Sequence, residues 1–145
     1  MIERLLVPID GGALDERAFA VSVDLARQLG AAITGFIVEP YATAPAPVGL
    51  PSDASTPRTD ATLQAHAQRV LARFEQRARE AGVSFDGVAT QASEVSEAIL
   101  AAAEKHRCDM IVMATHGRGV IAELLWGSNT RQVMSRSRLP VLVLH

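Results

Sequence analysis

Cysteine is almost absent from the chain: Cys108 stands alone, which excludes an intrachain disulfide framework and fits a reducing compartment. Aromatic residues make up only 4% of the 145 residues, so the core has to be built from Val, Ile, Leu, Ala and Met, which favours close packing of helix on sheet. No apolar run approaches the ~18 residues a membrane-spanning helix needs, and Met1-Ile2-Glu3-Arg4 leads straight into a short apolar stretch without the layout of a signal peptide. An excess of one charge is missing too. The 14 basic and 16 acidic residues leave a formal net charge of −2, spread along the chain, which argues against a nucleic-acid or anionic-membrane partner. His66, His106, His116 and His145 are widely separated and lack metal-ligand spacing, so no protein-held metal is expected. What remains, 48% hydrophobic and 21% charged, is the balance of a globular, cytoplasmic protein with one domain over residues 1–145.

Apolar patterning then orders the chain. Leu5-Leu6-Val7-Pro8-Ile9 is a short continuous apolar run, the pattern of a strand covered on both faces of a parallel sheet. Leu14, Ala18, Val21, Leu25 and Leu29 follow at helical spacing, with Gly30 as a stop. Residues 32–38 supply a second strand. From Pro40 to Asp60 the chain holds five of its seven prolines, which predicts a long irregular excursion at about 40–60. Leu63, Ala67, Val70, Leu71, Phe74 and Ala78 mark a second helix closed by Gly82, and residues 83–90 a third strand. Ser93 is placed to cap a third helix carrying Val95, Ile99, Ala102 and Ala103. Residues 109–114 and 140–144 are the fourth and fifth strands, joined by a helix over 128–138, and Cys108 reads as a small buried hydrophobe. Strict β-α alternation is the doubly wound α/β pattern, five parallel strands with helices on both faces.

In such sheets ligands bind beyond the carboxyl ends of the strands, where strand order reverses. The first strand ends Pro8-Ile9-Asp10-Gly11-Gly12, the second at Val38, and the fourth at Met113-Ala114-Thr115-His116-Gly117-Arg118-Gly119, while Gly127-Ser128-Asn129 opens the last helix. Phosphate recognition needs unobstructed backbone N–H groups and a helix N-terminus. Gly117, Gly127 and Ser128 meet that need, and His116 and Arg118 are placed to add charge or hydrogen bonds. An adenosine would then lie across the first two strands, with Asp10 accepting from the ribose and the Val38 backbone facing adenine. Beside this stands a plainer account: Gly117 and Gly119 as turn glycines, Gly127-Ser128 as an ordinary helix start, and Asp10 as a helix cap.

Leu5-Leu6-Val7-Pro8-Ile9-Asp10, the segment Asp109 to Gly119, and Arg138-Leu139-Pro140-Val141-Leu142-Val143-Leu144 together resemble the universal stress protein family, over essentially the whole chain. ATP-binding members of that family carry Gly, two residues, Gly, nine residues, then Gly followed by Ser or Thr. Gly117, nine residues, and Gly127-Ser128 match this pattern, whereas Ala114 stands at the first glycine. If that position needs φ > 0, alanine costs on the order of 1 kcal/mol or more; in extended backbone it adds only a methyl group. The resemblance implies an adenine-nucleotide alpha-hydrolase-like sheet in the order 3-2-1-4-5. It also implies an ATP-binding regulatory protein of the stress response, with Mg2+ or Mn2+ beside the nucleotide. Pro8, Ile9, Asp10, Val38, Met113, Ala114, His116, Gly117, Arg118, Gly127, Ser128 and Asn129 are its implied nucleotide-binding residues. The final strand, 140–144, is its expected homodimer seam, and an apolar edge strand agrees with that.

Two other functions are compatible with the residues. One is a dimeric interaction module that binds no nucleotide, for which Ala114 is the motive. The other is an enzyme, an ATP pyrophosphatase or nucleotidyl transferase, because Asp10-Gly11-Gly12-Ala13-Leu14-Asp15 faintly echoes a glycine-rich pyrophosphate loop.

Overall fold

The computed structural model describes residues 1–12, 14–40, 60–115 and 128–145, so all but the ends of the proline-rich excursion lies outside the described residues. Nine elements alternate: β1 (Arg4–Ile9), α1 (Asp15–Leu29), β2 (Ala32–Pro40), α2 (Asp60–Glu80), β3 (Phe85–Ala92), α3 (Val95–Lys105), β4 (Met110–Ala114), α4 (Ser128–Arg136) and β5 (Val141–Leu144). All strand pairs are parallel and the sheet order is β3-β2-β1-β4-β5, as expected.

Successive residues of β1 point to opposite faces, and both faces are covered, which is why its apolar run is unbroken. Leu5, Val7 and Ile9 pack with Phe19 of α1 and Phe74 of α2 on one side. Leu6 packs with Ile99 of α3, Ile111 and Met113 of β4, and Val133 of α4 on the other. Three of the four phenylalanines gather where α1, α2 and β3 meet. Phe74 stacks on Phe19 with ring centroids 3.7 Å apart and meets Phe85 edge-on at 5.2 Å.

Several boundaries and one helix face differ from the sequence reading. The buried stripe of α1 is Asp15, Ala18, Phe19, Ser22, Val23 and Ala26, and Leu29 is 42% exposed. Two polar residues in the stripe disguise it, whereas Leu25 is only partly buried against the core and Leu29 lies off the buried face. Ser93 does not cap α3: the helix begins at Val95, and Glu94 at its N-cap makes no side-chain capping bond. The third strand lies at 85–92 rather than 83–90, and α4 stops at Arg136.

The sheet's central seam positions the site. β1 pairs with β2 along its whole length to Ile9↔Ile37, but its register with β4 ends at Leu6↔Ile111. Two residues later Pro8 has no N–H to continue the ladder. The carboxyl ends of the two central strands therefore part, at the point where the chain reverses its direction of winding.

Candidate functional site

A cleft of about 290 Å³ opens at this parting. β1 supplies Pro8, Ile9 and the following Asp10; β2 supplies Phe36 and Val38; β4 supplies Met113 and Ala114; and the first turn of α4 supplies Asn129 and Thr130. Seven expected residues, Pro8, Ile9, Asp10, Val38, Met113, Ala114 and Asn129, thus converge from four separate elements. Ser128 begins α4 as an exposed residue next to Asn129 but does not line the cleft. His116, Gly117, Arg118 and Gly127 lie outside the described residues.

The loop after β1 is held by its own carboxylates. Asp15, only 8% exposed, accepts from the Gly11 amide at 2.7 Å and more weakly from the Asp10 amide at 3.4 Å. The Gly12 amide donates to Asp10 Oδ1 at 2.7 Å, closing a local Asx turn. Asp10 therefore does not cap α1, whose N-cap, Leu14, makes no side-chain capping bond. Gly11 has φ +83, a conformation that favours glycine, and a Cβ there would come within 2.7 Å of His66 Nε2 and push that side chain aside. Burial raises the Asp15 pKa above the ordinary carboxylate value; the Gly11 and Asp10 amides oppose this, and the neighbouring Asp10 charge reinforces it.

These hydrogen bonds decide what the loop can bind. A pyrophosphate loop must offer free amides to an anion. Here the amides of residues 10, 11 and 12 already donate to Asp10 and Asp15, and a phosphate would also meet two carboxyl groups. The chemistry available at this corner is acceptance of a hydrogen bond by the exposed Asp10 carboxylate, above apolar walls formed by Ile9, Phe36, Val38, Ile99 and Met113.

Ala114 closes β4 in register with Leu144. Its φ is not in the left-handed region, where Arg107 is the one non-glycine among the described residues. Alanine therefore costs no backbone strain at this position, and its methyl group is simply part of the cleft wall. The next residue, Thr115, is pinned by its amide and hydroxyl, which both donate to the Leu144 carbonyl, at 2.8 and 3.3 Å.

The sequence reading overlooked Leu14, Asp15, Phe36, Val95, Ile99 and Thr130 as cleft residues. Asp15 shows in sequence as an acidic residue in a first helical turn and as the end of the faint pyrophosphate-loop echo. Leu14, Phe36, Val95 and Ile99 show as apolar positions of helices and strands, and Thr130 carries no signal. Among the described residues no group of three or more His, Cys, Asp or Glu side chains gathers to hold a metal, and no helix is long and apolar enough to cross a membrane.

The family model of universal stress proteins matches residues 1–145. The chain belongs to the universal stress protein family. A universal stress protein of Thermus aquaticus is 30% identical over 147 residues, covering 99% of this chain and 98% of the relative. One from Methanocaldococcus jannaschii is 27% identical over 146 residues, covering 99% and 82%. Among solved structures, a universal stress protein in complex with cAMP aligns with TM-score 0.72 at 21% identity, covering 99% of this chain and 97% of the other. The Archaeoglobus fulgidus universal stress protein in complex with dAMP aligns with TM-score 0.67 at 17% identity, covering 100% and 98%. At these identities the structural likeness carries the fold, which is the universal stress protein fold.

Proposed function

We propose that this universal stress protein is an ATP-binding regulatory protein, made of one domain and acting as a cytoplasmic homodimer without fast chemistry of its own. The observation that carries the proposal is the convergence of Pro8, Ile9, Asp10, Val38, Met113, Ala114 and Asn129 on one cleft at the sheet's switch point. Two relatives of the same fold are described in complex with adenine nucleotides. The cleft's volume lies at the low end of the roughly 300–1,000 Å³ typical of small-molecule sites, which suits the nucleoside part of the ligand. Adenine would lie between the apolar walls and ribose against Asp10. The phosphates would be held by Gly117, Gly127 and Ser128, with His116 and Arg118 beside them and Mg2+ or Mn2+ as counter-ion. Occupied amides in the loop after β1 support this direction for the phosphates and count against pyrophosphatase chemistry there. The edge strand β5, apolar and half-buried along its length, is the proposed dimer seam.

Isothermal titration with ATP and Mg2+, together with mass spectrometry of the gently purified protein, tests the proposal. Bound nucleotide supports it, and no binding at millimolar ATP overturns it. The competing account, an interaction module that binds no nucleotide, drew its motive from Ala114. Its unstrained backbone counts against that account.

A further inference from the structure

Three helices of this protein end in the same hydrogen-bonded turn. After α1, Gly30 donates to the Arg27 carbonyl and Ala31 to that of Ala26; after α2, Gly82 donates to Arg79 and Val83 to Ala78. After α3, Arg107 donates to Glu104 and Cys108 to Ala103. Each is a Schellman turn whose pivotal residue has positive φ, 66° at Gly30, 71° at Gly82 and 53° at Arg107. The first two pivots are glycine, the residue this conformation favours. The third keeps an arginine against that preference, and no described carboxylate pairs with its guanidinium.

Arg107 borders a cavity of about 550 Å³ at the amino ends of β4 and β5, the pole of the sheet opposite the nucleotide cleft. The cavity's inner wall is apolar, with Leu100, Ala103, Cys108 and Ile111 among its residues. Its rim carries Arg107, Arg136 and Arg138 against the single acid Glu104. Arg136 is engaged by Glu97 at 3.2 Å, whereas Arg138, like Arg107, has no ion-pair partner among the described residues. Two unneutralised guanidinium groups over an apolar floor attract a ligand with one anionic end and one hydrophobic end.

We propose that this cavity is a second binding site, for a small amphiphilic organic anion whose carboxylate, sulfonate or phosphate is held by Arg107 and Arg138 and whose apolar body lies over Ala103, Cys108 and Ile111. Arg107 also borders a smaller cavity with Glu3, Arg4, Asp86 and His106. Only here does it stand with a second arginine unpaired among the described residues over an apolar wall, a use that fits an arginine held in strained backbone. The site shares no residue with the nucleotide cleft.

The probe is anilinonaphthalene sulfonate, titrated by fluorescence into the full chain with and without saturating ATP, with decanoate as competitor. Decanoate should displace the probe and ATP should not. Amide resonances of Ala103, Cys108 and Leu139 should shift on decanoate binding. Arg107→Gly, which keeps the turn and relieves its backbone, and Arg138→Gln should each weaken decanoate binding about tenfold or more, as expected for the loss of a charge-assisted hydrogen bond. Unchanged affinity in both variants, or displacement of the probe by ATP, would overturn the proposal.

Discussion

Replacing Arg107 by glycine should make the protein more stable. At φ 53 an L side chain crowds the following carbonyl, at a cost of about 1–2 kcal/mol. Glycine avoids this but loses about 0.5–1 kcal/mol through the greater freedom of its unfolded chain. The balance is a gain of about 0.5–1 kcal/mol, because the exposed guanidinium has no ion-pair partner among the described residues to lose. In a domain of this size that corresponds to a rise of about 1–4 °C in Tm. The same turn supplies its own controls. At Gly30 and Gly82 an added Cβ would meet no atom within 4 Å, so alanine at either position pays only the conformational term and should lose a similar amount. Urea unfolding followed by circular dichroism measures all three variants under one set of conditions. If Arg107→Gly lost stability along with Gly30→Ala and Gly82→Ala, the arginine would be holding the native state itself. The view of it as a strained residue kept for binding would then fail.

Gly35 faces β3 so closely that a Cβ would come within 2.7 Å of the Phe85 ring and 3.3 Å of Leu71; Gly35→Ala should therefore lower stability by about 1–3 kcal/mol through overpacking, seen as a lower urea midpoint. Asp10→Ala should weaken ATP binding by about 10- to 100-fold, the loss of one charged hydrogen bond, and calorimetry showing no change would remove Asp10 from the site. Ala114→Gly should leave ATP affinity within a few-fold of the native value, because the β-strand backbone there needs no glycine. For Asp15, burial raises the folded-state pKa above the unfolded value of about 3.9, so between those two values the native state holds more protons than the unfolded chain. Stability from this group then falls as pH rises through that window. Urea midpoints should show the native protein losing ground to Asp15→Asn from about pH 4 upward, and the opposite slope would refute the assignment.

Most of the fold was legible because parallel strands buried on both faces leave unbroken apolar runs, as in Leu5 to Ile9 and Met110 to Ala114. Helix ends with glycine pivots were equally plain at Gly30 and Gly82. The end of α3, near His106-Arg107, carries no such mark, because Arg107 does glycine's task without glycine's signature. The face of α1 was misread for a related reason. Asp15 is buried where it accepts the Gly11 and Asp10 amides, and Ser22 is fully buried although its hydroxyl has no hydrogen-bond partner among the described residues, so an apolar count passes over both.

The site divides along the same line. Residues at strand ends could be proposed from topology alone, since a doubly wound sheet has one switch point and its crevice lies beyond the carboxyl ends. Hydrogen-bond occupancy could not be proposed that way. Asp10-Gly11-Gly12 looks in sequence like a loop free to cradle phosphate, yet Asp15, buried at the start of α1, takes up the amides that would do so. Ala114 was undecidable in sequence because its effect depends on φ, a property of its place in the β4–β5 ladder. Both questions turn on where a backbone group points, and the first answer counts against anion binding at the end of β1. What remains at that corner is an exposed carboxylate beside an apolar slot, surroundings that suit a hydroxyl and a flat ring better than an anion.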